Sequence, residues 1–361
     1  MSFITSVFKA ATALGMIAAV LVVGFLLFTS LNIRFGSDPA GASVPRQKVM
    51  FTIQPGQTVA TIADNLKKEG IIDSPTWFRL RLKLKGAEGS LKAGRFQVTP
   101  GLDTDQLIAL LSTSPADVGV RFTVIEGQRV GEIADKLAKE GIVDAAKFNE
   151  LAGTAQGAAQ FQDDFLRASG KPADLGLEGY LFPDTYEIKQ NEGDNSEAVI
   201  KKMLGTLEDK LTPDMLQQMK DRQLSIHQVL TIASIVQREG KVKEELPTIA
   251  AVFWNRLDRA MRLDADPTTQ YALGKSGAWW PNLDQLGVKP ADVDNPYNTY
   301  RIPTMPPGPI CNPGLDAIQA AISPAQNDYL YFVAKNDGSG AHLFASTLEQ
   351  HERNRVAVGN R

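Results

Sequence analysis

The sequence contains an internal repeat, GQTVATIADNLKKEGIID at Gly56–Asp73 and GQRVGEIADKLAKEGIVD at Gly127–Asp144. Of these 18 aligned positions, 12 are identical. Each copy follows a short run, VMFTIQPG or VRFTVIEG, whose β-branched and aromatic residues favour a strand. Apolar residues then recur at helical spacing, and a glycine, Gly70 or Gly141, stands where the helix should end. Each copy therefore predicts a strand, a tight turn, a helix and a glycine stop.

The first copy continues through KAGRFQVTPG and DTDQLIALL, which predict a further strand, turn and helix. This unit, roughly residues 48–113, resembles a LysM-like module, a glycan-binding fold of two strands and two helices. The resemblance implies that the unit binds glycan. Ordinary α+β packing is the alternative interpretation of the same pattern.

Composition limits the function classes that need to be considered. The 361 residues, 43% of them hydrophobic, are enough for two modest domains with real cores. A net charge of −3 without a concentrated basic face argues against nucleic-acid binding. The single cysteine, Cys311, excludes an intramolecular disulfide and lies in a Pro- and Gly-rich run, where it is expected to be a bystander. The histidines His227, His342 and His351 lack metal-ligand spacing, so we expect no metal.

The N-terminal segment predicts a membrane anchor. Residues 10–31 carry no charge, and these 22 residues are enough to cross a bilayer as a helix. A cleaved signal peptide is the alternative, but its apolar core is normally ~7–15 residues and ends at an A-x-A-like site, which is not found here. We therefore expect residues 1–9 to be a cytoplasmic tail and residues 32–47 to be a linker. The expected location is the cell inner (plasma) membrane, with the catalytic domain on the periplasmic or outer side.

The expected fold class is α+β, with three parts in chain order. They are a single N-terminal transmembrane helix, a small LysM-like α/β module over residues 48–119, and a larger mixed α+β catalytic domain over residues 120–361. The helices expected in the catalytic domain are Ser196–Leu207, Ile226–Glu239, Glu245–Ala260 and Leu315–Ile322.

The segment LSIHQVLTIASIVQREG at Leu224–Gly240 contains the strongest candidate for an acid catalyst. Ser225 is a good N-cap and Gly240 a good terminator, and the apolar residues between them form one helical stripe that Glu239 continues. Burial and the negative end of the helix dipole both raise the pKa of such a carboxyl group. A protonated Glu239 could act as a general acid. The alternative is a structural helix-end residue paired with an arginine or lysine.

Four further motifs accompany this helix and give the chain a family resemblance. They are LEGYLFPDTYEI (Leu177–Ile188), MRLDADPTTQYA (Met261–Ala272), NPYNTYRIPTMPPGPICNPG (Asn295–Gly314) and YLYFVAKNDGSGAHLFASTLEQH (Tyr329–His351). Together with IASIVQREG they resemble the endolytic murein transglycosylases, also called YceG-like proteins, over nearly the whole chain. The family's catalytic glutamate falls at Glu239 in SIVQRE. Many members have an acidic residue where Gln237 stands, and the usual Gly-Leu before PPGPI is Thr304-Met305 here.

The resemblance implies an enzyme, a lytic transglycosylase that acts on peptidoglycan without a cofactor. It implies cleavage of the MurNAc–GlcNAc bond inside nascent strands, with formation of a 1,6-anhydroMurNAc end and with one glutamate as both acid and base. It also implies peptidoglycan glycan strands as the substrate and peptidoglycan synthase complexes as partners. The single-pass anchor would keep the site near newly made glycan.

Acidic, aromatic and polar residues of the motifs are candidates for substrate binding, because sugar rings present apolar faces and polar edges. Each has a structural alternative, such as a core aromatic residue, a structural histidine, or an N-cap at Asp266 ahead of Pro267. The candidates are Glu178, Tyr180, Tyr186, Asp266, Thr268, Asn298, Tyr300 and His342.

Two rival functions remain open. A hydrolytic muramidase would need a second carboxylate to activate water, and Asp264, Asp266, Glu178 and Asp184 are available. A non-catalytic, membrane-anchored glycan-binding scaffold would use only the two repeat copies and would not need Glu239. A serine or cysteine hydrolase is disfavoured, because the sequence has no nucleophile-elbow motif and no convincing base partner.

Overall fold

The computed structural model describes residues 48–113, 119–189 and 194–359. The chain divides into two compact units, Met1–Ser114 and Pro115–Arg361. The boundaries that the sequence predicts, 48–119 and 120–361, stay predictions.

The expected transmembrane helix requires a correction to the fold class. No helix within the three described ranges is long and apolar enough to cross a membrane. The longest of them has 15 residues, whereas a span needs ~20. The predicted tail 1–9, anchor 10–31 and linker 32–47 lie outside the described residues. The described part is a mixed α and β fold without a membrane-spanning helix.

Over residues 48–113, the first unit has two antiparallel strands and three helices. Strand β1 pairs with β2 in a register that joins Phe51 to Phe96, and both of these side chains are fully buried. The elements in chain order are β1 (Val49–Ile53), α1 (Val59–Lys68), α2 (Pro75–Leu84), β2 (Gly94–Val98) and α3 (Thr104–Ser112). The core lies between the strand pair and the helices.

Helix α2 is absent from the sequence prediction, which has only one helix between the two strands. Its start has a recognisable signal, because the Ser74 hydroxyl accepts a hydrogen bond from the Trp77 amide and Pro75 occupies the first turn. The order of elements is therefore strand, helix, helix, strand, followed by a third helix.

The second unit has two antiparallel strand pairs among helices. Its elements before the central helix are β3 (Gly119–Thr123), α4 (Val130–Lys139), α5 (Ala145–Gly153), α6 (Ala155–Ala158), α7 (Asp164–Ala168), β4 (Thr185–Lys189), α8 (Ser196–Lys210) and α9 (Pro213–Asp221). From the central helix onward they are α10 (Ile226–Glu239), α11 (Leu246–Asp258), α12 (Asp266–Leu273), α13 (Leu283–Leu286), α14 (Leu315–Ile322), β5 (Tyr331–Ala334), β6 (His342–Ala345) and α15 (Leu348–Ala357). Strand β3 pairs with β4, and β5 with β6. Helix α10 packs against α11, α12 and α14.

Helix boundaries agree well with the prediction where both ends carry a signal. Helices α10 and α14 begin and end at the predicted residues. Helix α8 runs three residues further, to Lys210, because no glycine or proline stops it after Leu207. One capping prediction is wrong. Ala265, rather than Asp266, is the N-cap of α12, and Asp266 is its first residue.

The two repeat copies fold in the predicted way. Each has its helix in the same place, α1 or α4, after a strand that ends before the repeat begins. Gly56 and Gly127 both have φ of 79° at the turn into the helix, and Gly70 and Gly141 have φ of 68° and 69° just after it. Residues that have a Cβ atom rarely adopt this left-handed backbone conformation, which explains why glycine stands at all four positions.

Candidate active site

Helix α10 fixes the proline-rich segment 307–314 along one of its faces. His227, Ser234 and Gln237, at helical spacing, bond to backbone groups of this segment over 2.8, 3.0 and 2.9 Å. The ring of His227 donates from Nε2 to the Pro307 carbonyl, so Nδ1 accepts from the Tyr180 hydroxyl 3.0 Å away. Burial lowers the pKa of His227 and favours this neutral form. These contacts hold the segment rigidly beside the helix.

Glu239 is the last residue of α10, and its side chain is half-buried. Within the described residues, no hydrogen bond or ion pair holds its carboxyl group, which contradicts the interpretation of a structural ion pair. Its pKa is raised to about 8, chiefly by burial and also by the negative charge of Asp266, while Arg238 opposes both effects. The predicted effect of burial is confirmed, whereas the sequence did not reveal the contribution of Asp266.

Asp266 and Tyr300 lie beside Glu239 and are joined to each other. The Tyr300 hydroxyl donates to Oδ1 of Asp266 over 2.8 Å. Burial raises the pKa of Tyr300, and the negative charges of Asp266 and Glu239 add to this effect. Asp266 is exposed at the start of α12, so its carboxylate can face a substrate. We call Glu239, Asp266 and Tyr300 the acid cluster. The structure brings together these three predicted site residues.

Asn298 supports the acid cluster from inside the loop. Its side chain is fully buried, and its Oδ1 accepts hydrogen bonds from the Thr269 hydroxyl and the Tyr300 amide. Its Nδ2 donates to the carbonyls of Pro290 and Val293, each over 2.7 Å. These contacts use all of the hydrogen-bonding groups of the amide, so the geometry favours a structural role that positions Tyr300. Direct substrate contact by Asn298 stays a prediction.

Thr268 has a similar place beneath Asp266. It is fully buried, and its hydroxyl donates to the Ala265 carbonyl over 2.7 Å at the start of α12. A second bond of 2.9 Å joins it to the Thr299 hydroxyl. The pair ties the first turn of α12 to the loop that carries Tyr300. Substrate contact by Thr268 likewise stays a prediction.

Glu178 caps the start of α4. The Val130 amide donates to its two carboxylate oxygens over 3.0 and 3.3 Å, and Nδ2 of Asn312 donates to one of them over 3.2 Å. Burial raises the pKa of Glu178 to about 8, and nearby Arg129 opposes this rise. Glu178 and Tyr180 line a cavity of about 180 Å³ together with residues that include His227, Tyr271 and Tyr297. Glu178 therefore has partners that Glu239 lacks.

Tyr186 and His342 are engaged elsewhere in the second unit. Tyr186 belongs to β4, is buried opposite Phe122, and its hydroxyl donates to the Phe182 carbonyl. His342 belongs to β6, is nearly buried, and its Nδ1 lies 2.8 Å from a carboxylate oxygen of Glu245. The described residues show no bond from either side chain to the acid cluster. Their roles in substrate binding stay predictions.

The remaining carboxylates that the sequence offered for activating water have cationic partners. Asp264 lies 3.4 Å from Arg256 and 3.4 Å from Arg262, and Asp184 lies 3.4 Å from Lys210. Of the four carboxylates Asp184, Glu178, Asp264 and Asp266, Asp266 is therefore the one whose charge raises the pKa of Glu239. No group of three or more His, Cys, Asp or Glu side chains in the described ranges could hold a metal ion.

Sequence reasoning missed an aromatic and arginine cluster next to Glu239. The Arg129 guanidinium carbon lies 4.1 Å from the centroid of the Tyr271 ring and 5.0 Å from that of Trp279. The Arg238 guanidinium carbon lies 3.8 Å from the centroid of Trp280. The adjacent tryptophans, and an arginine where the first repeat copy has a threonine, were the available signals.

Comparisons with known proteins agree with this architecture. The model of the YceG-like family matches residues 51–357. The chain is 35% identical over 311 residues to a Bacillus subtilis (strain 168) protein named endolytic murein transglycosylase, covering 84% of this chain and 83% of the relative. A protein of the same name from Streptococcus pneumoniae (strain D39) is 32% identical over 325 residues, covering 86% of this chain and 58% of the relative.

A solved structure is similar as well. It is that of a YceG-like protein from Listeria monocytogenes, with a TM-score of 0.56 and 30% identity over 85% of this chain and 98% of that one. The family match covers most of the chain, and it includes both the helix that ends at Glu239 and the loop that carries Tyr300. The chain belongs to the YceG-like family.

Proposed function

We propose that this protein is an endolytic murein transglycosylase in which Glu239 is both the acid and the base. It cleaves the MurNAc–GlcNAc bond of peptidoglycan strands and leaves a 1,6-anhydroMurNAc end. The names of its relatives support the reaction class. One observation carries the role of Glu239: an unpaired carboxyl group whose pKa is raised to about 8, next to a second carboxylate.

The first half-reaction needs a proton donor. At neutral pH most of the Glu239 population is protonated, because its pKa is about 8. The proton moves to the oxygen that links MurNAc to GlcNAc, the bond from that oxygen to C1 of MurNAc breaks, and the GlcNAc end leaves with a hydroxyl group. Positive charge develops on the MurNAc ring.

The second half-reaction needs a base. The Glu239 carboxylate takes the proton from the C6 hydroxyl of MurNAc, and the C6 oxygen bonds to C1. No water is consumed, and Glu239 is protonated again at the end of the cycle. The nearby charge of Asp266 disfavours the ionised state of Glu239, so it keeps more of the acid protonated before the first step and makes the carboxylate a stronger base in the second.

The Tyr300 hydroxyl keeps Asp266 in this position. Its hydrogen bond fixes one carboxylate oxygen and leaves the second available to the substrate. Asn298 and Thr268 then hold the loop and the helix start from which these two side chains project. The predicted candidates thus divide into groups at the reacting bond and groups that position them.

A hydrolytic muramidase is the second candidate function, and the position of Asp266 beside Glu239 is the observation that favours it. Two carboxylates could activate a water as an inverting or retaining glycosidase does. The mass of the products separates the two reactions, because a hydrolysed end is one water heavier than an anhydro end. The test is mass spectrometry of purified glycan strands after digestion. Anhydro ends support the proposal, whereas reducing ends without the anhydro bridge would show that the enzyme is a hydrolase.

The first unit is proposed to bind glycan, as its LysM-like sequence suggests. The order of strands and helices from β1 to β2 supports this proposal. A non-catalytic scaffold would use the same unit, and it predicts that Glu239→Gln leaves function intact.

The substrate also supports a location of the catalytic unit on the outer side of the plasma membrane. Partnership with peptidoglycan synthase complexes rests on the family resemblance alone.

A further inference from the structure

Arg238 precedes Glu239 directly in the sequence, yet its guanidinium does not pair with the Glu239 carboxyl group. Instead the guanidinium carbon stacks over the Trp280 ring, 3.8 Å from the ring centroid. Its Nε is buried and has no hydrogen-bond partner among the described residues. An arginine beside an unpaired carboxylate normally forms charge-assisted hydrogen bonds with it. Side chains one position apart on a helix point in different directions, and the stacking on Trp280 gives the guanidinium a contact other than the carboxyl group.

Trp280 is itself fixed from two sides. Its Nε1 donates to Oε2 of Glu132 over 2.9 Å, and the same oxygen accepts from the Arg129 amide at the start of α4. The neighbouring ring of Trp279 packs against Gly131, where an added Cβ would lie 2.3 Å from the ring. The loop between α12 and α13 is thus docked on α4. Its tryptophan is presented to Arg238 in one orientation.

A second glycine lies against the Arg238 side chain. A Cβ added to Gly127 would lie 3.5 Å from Nη1 of Arg238. The turn before α4 therefore approaches the guanidinium closely without any side chain of its own. Arg238 lies between this turn and the Trp280 ring.

The titratable groups that act on Glu239 are few. Asp266 comes from α12, Tyr300 from the loop after α13, and Arg238 from α10 itself. Asp266 is anionic and Tyr300 is neutral, so Arg238 is the cation of this set. An ion pair between Arg238 and Glu239 would stabilise the carboxylate form and remove the proton that the reaction needs.

We propose that Trp280 is a positioning residue that holds the Arg238 guanidinium away from the Glu239 carboxyl group, so that the acid stays unpaired. The inference rests on the proposed role of Glu239. Trp280 acts through Arg238 and does not need to contact the substrate. The effect of replacing Trp280 on the reaction rate should therefore depend on pH and on the presence of Arg238.

The test is the pH profile of kcat/KM for the release of anhydro ends, measured with the full chain. Trp280→Leu should move the basic limb from near pH 8 to lower pH by about one unit, which is roughly a fivefold loss at pH 8 and approaches tenfold above it. At pH 5 to 6 its rate should stay within a few-fold of the wild type. Trp280→Phe keeps an aromatic face for the guanidinium and should restore most of the profile.

A double variant separates positioning from packing. Arg238→Leu in the Trp280→Leu background removes the cation, which already lowers the pKa of Glu239 in the wild type, and should return the basic limb to pH 8 or above. An equal loss at every pH, or a double variant that stays shifted, would overturn the proposal and assign Trp280 to packing or to sugar binding. Should Trp280→Leu not fold, Arg238→Lys supplies the same test, since its flexible ammonium loses the planar stacking and should shift the limb likewise.

Failure of the underlying proposal has a different signature. A Glu239→Gln variant with full activity would remove the role of Glu239 itself, whatever the Trp280 variants do. A Glu239→Gln variant without activity, combined with an unshifted Trp280→Leu profile, would leave the acid in place and reject only the positioning role.

Discussion

Glu178 and Glu239 are two carboxyl groups of the same unit with the same pKa and opposite surroundings. Burial is the main cause that raises the pKa of each to about 8. Glu178 accepts hydrogen bonds from the Val130 amide and from Asn312, whereas the carboxyl group of Glu239 has no such partner in the described part of the chain. A raised pKa alone therefore does not identify the catalytic acid. The hydrogen bonds decide, because a carboxyl group already engaged by the fold is not free to exchange a proton with a sugar.

The largest expected effect is on stability at high pH. An unfolded Glu239 loses its proton near pH 4.5, whereas the folded one keeps it to about pH 8. The folded protein binds more protons than the unfolded chain between these two pH values. The contribution of Glu239 to the free energy of unfolding is therefore fully present below pH 4.5 and is lost as pH rises to about 8. Glu239→Gln removes this loss, on the order of 4 kcal/mol if the whole shift counts. Denaturant unfolding at pH 5 and pH 8 should show the variant gaining stability only at the higher pH.

The control for this measurement is Glu244→Gln, since Glu244 is an exposed glutamate just after the same helix. Its stability difference from the wild type should not change with pH. A Glu239→Gln difference that is equally flat would mean that the carboxyl group is not buried enough to shift its pKa.

The next effect is on the rate. Glu239→Asp keeps an acid but withdraws it by one methylene, and misplacement of a reacting group by about 1 Å can cost roughly 10²-fold. We expect a loss of this size in anhydro-end release, with an unchanged melting temperature. Circular dichroism provides the folding control. A rate within twofold of the wild type would indicate that the site tolerates a displaced acid and would weaken the direct role of Glu239.

We expect the opposite stability effect at Glu178. Glu178→Gln replaces an acceptor oxygen by an amide donor that faces the Val130 amide, and loss of such a bond costs roughly 1–3 kcal/mol. Denaturant unfolding at pH 4.5 should show this loss, because at higher pH the raised pKa of Glu178 adds the same gain that Glu239→Gln shows, while activity per folded molecule at pH 7 stays within a few-fold. An activity loss as large as that at Glu239, in a stable variant, would make Glu178 a second catalytic group.

The smallest expected effect is at Asp266. Asp266→Asn removes the negative charge next to Glu239, which lowers the pKa of Glu239 and moves the basic limb of the activity profile down by up to about one unit. Tyr300→Phe is the matched control, because it removes the hydrogen bond to Asp266 and keeps the charge. It should shift the limb less. A profile unchanged by Asp266→Asn would leave burial as the sole cause of the raised pKa.

The two repeat copies show how much of the fold was readable from the sequence. The predicted strand, turn, helix and glycine stop were found in both, because periodicity and positive-φ glycines are local signals. What differs between the copies is set by distant residues. The Thr58 side chain caps α1 by accepting from the Thr61 amide, whereas the N-cap of α4 is Arg129, whose side chain does not cap the helix, and Glu132 and Glu178 supply the acceptors. No local pattern could predict Glu178 as a cap, since it lies 48 positions from Val130.

The candidate site was predictable from the sequence in the same way as the fold: its local features were, and its long-range contacts were not. Glu239 and its burial followed from one helix and its stripe, and family motifs supplied Asp266 and Tyr300. The hydrogen bond between these two spans 34 positions, and the stacking of Arg238 on Trp280 joins α10 to a loop outside every quoted motif. Such contacts depend on how the elements pack. Helix periodicity correctly placed Arg238 off the apolar stripe, but it gave no sign of the ring that holds it.

A single assay separates the two glutamates: the release of 1,6-anhydro ends from purified glycan strands by Glu239→Gln and Glu178→Gln at pH 7, normalised to folded protein. We expect Glu239→Gln to lose roughly 10²–10⁴-fold, the usual contribution of a general acid or base, while Glu178→Gln keeps activity within a few-fold. Full activity in Glu239→Gln, or an equal loss in both variants, would contradict the claim that the unpaired carboxyl group is the catalytic one.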